Sequence, residues 1–489
     1  MAGDGPRLGR ELSIWEAVGI SVALMAPSMA ANINPQGMVG NVGRAVPLTF
    51  ALATVGVLLV AYTFVRLTQK FHHSGSVYGF VGATLGARPG VVAGWGLLGT
   101  YLFYAVVTST ASARFLVAFL DGTGLWDAPP DWIVLPLAAL VLLGVLWLTV
   151  SPIRLGTRVL LVVEAATVAL ILIVAVVILV KLLGDDAPGG QSVTFSPFTV
   201  PDGTATSALF LGVVFGFLSF AGFEAAATLG EETRHPRRDI PRAILGTAIF
   251  GGLYFVFVTW VEVMGFGTDA AGLDAFANSG SLFGDLGTQY VGAWLGDLIS
   301  LGAAISAFGC ALACSVGASR LLYAMARDGI APAPLARVSP TKRTPVGAAI
   351  GVAVAAAVIE VLLWLVYRTG TDDTSLSVFV AAGVIGTLVL LVVYVLASVG
   401  VIRLLFIDRD PRVRTWEVVV PVGGLIVLGY TLYRNVIPLP EGRSLIAPVV
   451  AALWLLAGLV FVLAAPRLAR RAGEALTADE GLTAAKERA

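Results

Sequence analysis

Charged side chains are scarce in this chain: only 13% of its 489 residues are Asp, Glu, Lys or Arg, whereas 57% are hydrophobic. A soluble globular domain typically carries about 25% charged residues. The composition therefore excludes an ordinary soluble globule and indicates a protein whose main surroundings are the lipid bilayer. The formal net charge is zero, so the charge balance suggests no nucleic-acid partner.

Residues that hold metals and carry redox chemistry are also few. The histidines are His72, His73 and His235, and two adjacent histidines on a helix point in different directions, which makes a poor metal site. Cys310 and Cys314 lie four apart on one predicted helix, a spacing that disfavours a disulfide. No glycine-rich phosphate loop ending in Lys and Ser or Thr is present. We predict no cofactor and no metal, and an enzyme or an ATP-driven pump is disfavoured.

Long apolar segments fill the rest of the sequence. A helix needs about 20 apolar residues to cross a bilayer. Twelve segments satisfy this criterion, at residues 14–38, 46–68, 91–119, 132–150, 157–183, 206–229, 242–266, 290–325, 345–367, 375–404, 416–435 and 444–465. They predict one transmembrane domain at residues 13–465, between a polar N-terminal tail at 1–12 and a charged C-terminal tail at 466–489.

Lys and Arg are concentrated in alternate loops. If the N-terminus is cytoplasmic, 25 of the 31 basic residues fall in cytoplasmic loops or tails, and the opposite loops are acidic instead. Cytoplasmic loops of membrane proteins carry such an excess. The distribution predicts a multi-pass protein of the cytoplasmic membrane with both termini in the cytoplasm.

Two predicted spans, the first and the sixth, are interrupted in mid-membrane by Pro, Gly and small polar residues. The interruptions lie in residues 25–35 and 218–224. Backbone that leaves the helix inside a bilayer needs partners from protein or from a water-filled cavity. Such unpaired groups can bind a polar solute, so the pair of interruptions predicts a solute transporter.

The interruptions begin two possible repeats of five helices, at residues 14–184 and 206–404, which are followed by two peripheral helices at 416–465. An odd helix count forces the second repeat to enter the membrane upside down relative to the first. This arrangement is typical of carriers in which half-helix ends meet beside the substrate. Each Pro or Gly cluster alone could be a simple kink, but a matched pair favours a binding site.

Three motifs occur in order along the chain. They are SGSVYGF at residues 74–80, SFAGFE followed by GEETRHPRRDIPRA at 219–224 and 230–243, and ASRLLYAMARDG at 318–329. Together they resemble the signatures of the amino acid–polyamine–organocation permeases over most of residues 14–404. The resemblance implies an all-α fold similar to the bacterial leucine transporter, with twelve transmembrane helices, a 5+5 inverted repeat and broken helices 1 and 6.

The resemblance also implies where the solute binds, because in this family its amino and carboxylate groups contact the unwound backbone of helices 1 and 6. The matching substrate-binding positions here are Ala26, Pro27, Ser28, Met29, Ala30, Phe220, Ala221, Gly222, Phe223 and Glu224, with Phe220 as a gate over the solute. The family is usually Gly-rich at the first of these segments. Pro27 instead lacks an amide N–H, so amines and unusual amino acids stay open as substrates.

Carboxylates inside spans are costly and often functional. The resemblance implies proton-dependent substrate recognition for Glu224, which could instead cap the half-helix that follows it. Glu164 in the fifth span is predicted to be a titrating group or an ion ligand, with a structural ion pair as the alternative. Ser306 is a candidate sodium ligand, although small residues also let helices approach closely.

Other charged residues within spans are predicted to have structural roles. We expect Glu262 and Glu360 to pair with neighbouring helices, and Arg114 to extend its long side chain to the membrane surface.

The leading interpretation is a secondary active transporter that moves an amino acid or related amine by alternating access, coupled to protons or sodium or working by exchange. A polyamine or organocation importer of the same fold is the closest alternative. A membrane-embedded lipid enzyme and a non-transporting channel or sensor are less favoured. The last two spans could face lipid or a partner, so a homodimer also stays open.

Overall fold

A computed structural model of the chain describes residues 13–71, 77–151, 155–229, 233–327, 331–339, 344–369, 373–408, 411 and 413–464. The tails predicted at 1–12 and 466–489 lie outside these ranges, as do His72, His73 and the motif residues 74–76, 230–232 and 328–329.

The described chain is built almost entirely from α-helices. In chain order they are α1 (Ile14–Met25), α2 (Pro27–Ile33), α3 (Gln36–Val42), α4 (Val46–Lys70), α5 (Val77–Leu85), α6 (Ala87–Gly122), α7 (Val134–Thr149), α8 (Leu155–Leu183), α9 (Leu209–Phe220), α10 (Pro236–Phe266), α11 (Ala270–Ala277), α12 (Leu282–Tyr290), α13 (Ala293–Arg327), α14 (Val346–Tyr367), α15 (Thr374–Ile402), α16 (Val419–Val436) and α17 (Ile446–Ala464).

Within the described ranges, twelve helical segments are long and apolar enough to cross a membrane, so the predicted twelve spans are confirmed. The seventh begins at Pro236, six residues before the predicted start. Proline is favoured in the first turn of a helix, and the charged residues after it form a turn that sequence hydropathy excludes from the span. The eighth span, α13, is a single helix of 35 residues, or about 52 Å, so it is longer than the bilayer core is thick.

Close contacts at glycine hold the third span, α6, in the centre of the bundle. A Cβ atom at Gly99 would overlap the Trp454 ring of α17, and one at Gly386 of α15 would lie 2.7 Å from Cε1 of Tyr104 in α6. Apolar burial does not drive helix association inside a bilayer, so this close packing stabilises the assembly instead.

Two helices that the sequence did not predict, α11 and α12, close one side of the bundle. We call the side of residue 13 the near side and the opposite side the far side. The side-chain oxygen of Asn32, at the end of α2, accepts hydrogen bonds from Ser281 Oγ and from the Phe283 amide, both at 2.9 Å. The Gln36 side chain donates to the carbonyl of Ser279 at 2.7 Å. These bonds fix α11 and α12 over the far end of the first span.

Arg114 does not extend to the membrane surface. It is buried, with only 8% of its surface exposed, and it donates to Asp373 Oδ1 at 2.5 Å and to the hydroxyl of Ser375. Burial opposes ionisation of Asp373, but the Arg114 charge and several hydrogen bonds outweigh it, so the pKa of this carboxyl lies below its usual value. The pair ties α6 to the far end of α15.

Glu262 and Glu360 were both predicted to pair with neighbouring helices, and only Glu360 does so in the described chain. Glu360 of α14 accepts from Thr110 Oγ1 at 2.9 Å and from Ser109 Oγ at 3.4 Å, both on α6. Glu262 of α10 is fully buried, yet neither of its carboxylate oxygens has a hydrogen-bond partner in the described chain.

Candidate functional site

The first interruption is a sharp break at Ala26, which we call the first break. Ala26 has φ 45° and ψ 59°, a left-handed conformation that separates α1 from α2. Residues with a Cβ atom adopt it infrequently because the side chain crowds the backbone. Pro27 then occupies the first turn of α2, where its fixed φ suits a helix start and its missing N–H costs nothing.

The backbone amides after the first break are all bound by protein atoms. Ser28 N–H donates to Glu164 Oε1 at 2.9 Å, and Met29 N–H donates to Ser306 Oγ at 3.3 Å. Ala30 N–H donates to the carbonyl of Ala26 at 2.9 Å. Glu164 therefore occupies the anion position at the N-terminus of α2, where the helix dipole favours negative charge.

Glu164 and Ser306, predicted from two different spans, meet at this position. Both are buried, and the Ser306 hydroxyl also lies beside the Glu164 carboxylate. Among the ion pairs that the structure describes, none includes Glu164, so the alternative of a structural ion pair has no support. The arrangement joins α8 and α13 to the start of α2.

Tyr254 of α10 also contacts the first break. Its hydroxyl donates to the Pro27 carbonyl at 3.4 Å. The N–H of the same peptide unit is that of Ser28, which binds Glu164. One peptide group therefore links α10 on one side to α8 on the other. Tyr254 could not be predicted from the sequence, because an isolated tyrosine in an apolar span has no local signature.

The second interruption is also a break, at residues 221–224, which we call the second break. α9 ends at Phe220, and a short 3-10 helix, Ala225–Leu229, follows the turn. Gly222 has φ +102°, and a Cβ atom there would lie 2.7 Å from both Cβ and Cγ of Leu24. Glycine is required by the backbone conformation and by the close approach to α1.

Ser21 of α1 binds the backbone that the second break exposes. Its hydroxyl donates to the Phe223 carbonyl at 3.1 Å and accepts from the Ala226 N–H at 3.0 Å. This single buried side chain replaces two bonds of the interrupted helix. It also fixes the second break beside the last turns of α1, immediately before the first break.

Glu224 lies at the end of the second break, and only one of its two carboxylate oxygens has a hydrogen-bond partner in the described chain. Tyr394 of α15 donates to Oε1 at 2.8 Å, whereas Oε2 is buried without a hydrogen-bond partner in the described chain. The amides of Ala225, Ala226 and Ala227 bind other oxygens, so Glu224 does not cap the short helix through them. A buried acceptor without a hydrogen-bond partner is costly. The Oε2 atom of Glu224 is therefore available to bind a proton or to accept a hydrogen bond from a donor group.

Aromatic rings line the same region. Phe220, the predicted gate, is fully buried and packs edge-to-face on Phe255 with centroids 5.4 Å apart. A Cβ atom at Gly251 would lie 2.8 Å from both the Phe220 ring and Met25 Cε, so the residues that immediately precede the two breaks meet over one small patch of α10. The structure thus brings the two predicted segments together.

The chain matches one known protein family over most of its length. A family model described as Amino acid permease matches residues 29–411, which include most of α2, the second break and the long central helices. The chain belongs to the amino acid permease family. This permease is therefore a member of a family of membrane transporters, in agreement with the resemblance in its motifs.

Individual proteins similar to this permease are distant. It is 24% identical over 360 residues to the branched-chain amino acid permease BcaP of Bacillus subtilis, covering 69% of this chain and 71% of that protein. It is 26% identical over 305 residues to the low-affinity putrescine importer PlaP of Escherichia coli, covering 61% and 63%.

A solved structure supports the fold. The crystal structure of a manganese transporter from Eremococcus coleocola superposes with a TM-score of 0.55 over 95% of this chain and 98% of that one, at 12% identity. The predicted fold class, an inverted-repeat transporter with broken first and sixth helices, is confirmed.

Proposed function

We propose that this permease is a secondary active transporter that moves an amino acid or a related amine across the cytoplasmic membrane by alternating access. The observation that carries the proposal is the meeting of two broken helices, where Ser21 and the Gly222–Leu24 contact hold the second break against the end of α1, just before the first break. In this proposal the substrate contacts residues 26–30 and 220–224.

The near side is proposed to be cytoplasmic, because the basic residues of the sequence are concentrated there. The far side, which α11 and α12 cover, is then extracellular. In this proposal the described conformation is a state closed to the outside, and a substrate bound between the breaks would leave toward the cytoplasm.

Proton coupling is proposed to act through Glu164 and Glu224. Glu164 holds the Ser28 amide, and a neutral carboxyl would hold it less strongly, because hydrogen bonds to charged groups are the stronger ones. Protonation of Glu164 would thus loosen α2 from α8. Ser306, which binds the Met29 amide, completes this contact and is the candidate ligand if sodium replaces the proton.

A specific observation favours amines over ordinary amino acids, which is the second candidate function. No backbone amide at residues 27–30 is free in this state, because Pro27 has none and the next three are bound to protein oxygens. A substrate carboxylate would have to displace Glu164, whereas an amine would not. The putrescine importer among the similar proteins acts on an amine.

The experiment that tests this proposal is a thermal-shift screen of the purified permease against amino acids, diamines and polyamines, followed by counterflow in proteoliposomes with each hit. A ligand that binds only the folded state raises the apparent Tm. We expect saturable exchange that is accelerated by internal substrate. A flux that internal substrate does not accelerate would indicate a channel and contradict the proposal.

A further inference from the structure

Glu262 is a buried carboxyl that the proposed transport site does not use. It lies four residues before the end of α10, about 6 Å from the far end of that helix. Its exposure is 0%, and both oxygens are buried without a hydrogen-bond partner in the described chain. Glu360 shows the contrast, since its carboxylate is bound by two hydroxyl groups.

The charged groups of the helices packed against α10 do not reach Glu262. In the far half these groups are bound elsewhere: Lys181 to the Tyr290 carbonyl, Tyr290 to the Gly265 carbonyl, Asp285 to Ser279, Asp269 to the Gly272 amide and Asp274 to Asn278. Glu16, Tyr62, Arg66 and Lys70 lie at the near ends of α1 and α4. Glu164 contacts the first break.

A carboxylate in this position cannot be ionised at low cost. Removing a charge from water is costly unless an opposite charge or several hydrogen bonds replace its hydration, and Glu262 has neither. In the far-side-closed state the group is therefore a neutral carboxylic acid. Glu262 lies only about one helical turn from the far end of α10, so opening of the far side would give it access to water and allow it to ionise.

Tyr254, on the same helix as Glu262, is hydrogen-bonded to the first break. Tyr254 and Glu262 lie eight residues apart on one face of α10, and helical side chains tilt toward the N-terminus, which brings Glu262 toward Tyr254. The Tyr254 hydroxyl donates to the Pro27 carbonyl, whose peptide partner Ser28 donates to Glu164.

We propose that Glu262 is a second proton-binding site of the permease, which must take one proton from the far-side solution before α11 and α12 can close. The proton comes from water, binds the carboxylate, and returns to water when the far side reopens. The inference rests on the proposed function, because it takes the far side as extracellular and the closure as part of the transport cycle.

The test is counterflow in proteoliposomes of right-side-out orientation, with fixed internal pH and varied external pH. If closure needs one proton, the wild-type rate falls by up to about tenfold per pH unit above the titration point. Glu262→Gln is always neutral, so its rate should change less than about twofold over the same range. An external pH profile identical to wild type in this variant overturns the proposal.

Two matched controls locate the effect. Glu360→Gln removes a buried carboxyl that is already bound by hydroxyls, and it should keep the wild-type external pH profile. Asp285 of α12 is an acidic residue near the far side whose pKa is raised by burial. Loss of the pH dependence in Asp285→Asn, with its retention in Glu262→Gln, would assign the effect to α12 and contradict the proposal.

Infrared spectroscopy gives a readout that does not need transport. The C=O stretching band of a protonated carboxylic acid should be weaker in Glu262→Gln than in wild type. The difference in intensity between the two proteins is measured as a function of pH. Glu262→Leu should be at least as thermally stable as wild type, because no hydrogen bond is lost. If wild type shows no counterflow, the proposed function fails, while the infrared difference still decides the state of Glu262. The absence of that difference overturns the inference.

Discussion

Substituting Gly222 by alanine tests the contact between the two breaks. An alanine at φ +102° carries backbone strain of about 1–3 kcal/mol. Its Cβ would lie 2.7 Å from two carbon atoms of Leu24, and such overpacking costs about 1–3 kcal/mol more. We therefore expect Gly222→Ala to lower the apparent Tm of the detergent-purified protein and to abolish counterflow. The added methyl group pushes α1 and the second break apart.

Gly246 provides the matched control for this substitution. It lies in α10, and a methyl group added to its Cα would have no neighbouring atom within 4 Å. Alanine is also favoured over glycine in a helix by about 1 kcal/mol. Gly246→Ala should leave Tm and counterflow unchanged or slightly improved. Wild-type Tm and wild-type counterflow in Gly222→Ala would refute the reasoning about the second break.

Three further predictions concern side chains around the site. Glu164→Gln keeps a hydrogen-bond acceptor but loses the charge, so substrate uptake should no longer respond to an imposed pH gradient. Accumulation of substrate at the wild-type level under that gradient would exclude Glu164 from proton coupling. Tyr394→Phe leaves Glu224 without its hydrogen-bond donor, which lowers the free energy of unfolding by about 1–3 kcal/mol. The substitution should also alter substrate affinity in binding assays. Unchanged affinity and Tm would show that the bond is dispensable. Because the pKa of Asp373 is lower in the folded protein than its ordinary 3.8, its pair with Arg114 stabilises the fold above that pH and loses this contribution as pH falls through the lowered value. Tm measured against pH should therefore show a smaller acid-side decrease in Asp373→Asn, and an equal decrease would contradict the pairing.

Much of the fold could be predicted because its signals are local. Each span is a continuous apolar run, and the two breaks are marked by Pro27 and Gly222 within such runs. The backbone at Ala26 shows the limit of local signals, because the left-handed residue is an alanine and carries no signature of its own. Its conformation depends on the partners that Glu164 and Ser306 supply to the amides that follow.

The contacts that complete the site could not be predicted because they join distant parts of the chain. Ser21 binds residues more than 200 positions away, and Tyr394 reaches Glu224 across 170. The helices α11 and α12 were missed for a different reason: they are shorter than a membrane span, and their position over Asn32 depends on tertiary hydrogen bonds.

The proposed transport site requires a solute that binds between the two breaks, and the protection of a cysteine from alkylation is a direct measure of that binding. Ala221 lies in the second break and is 9% exposed, whereas Thr228 lies on the exposed side of the following 3-10 helix. The substrate found by the thermal-shift screen should slow alkylation of Ala221→Cys severalfold and leave the rate for Thr228→Cys unchanged. Equal alkylation rates at Ala221→Cys with and without saturating substrate would contradict the account.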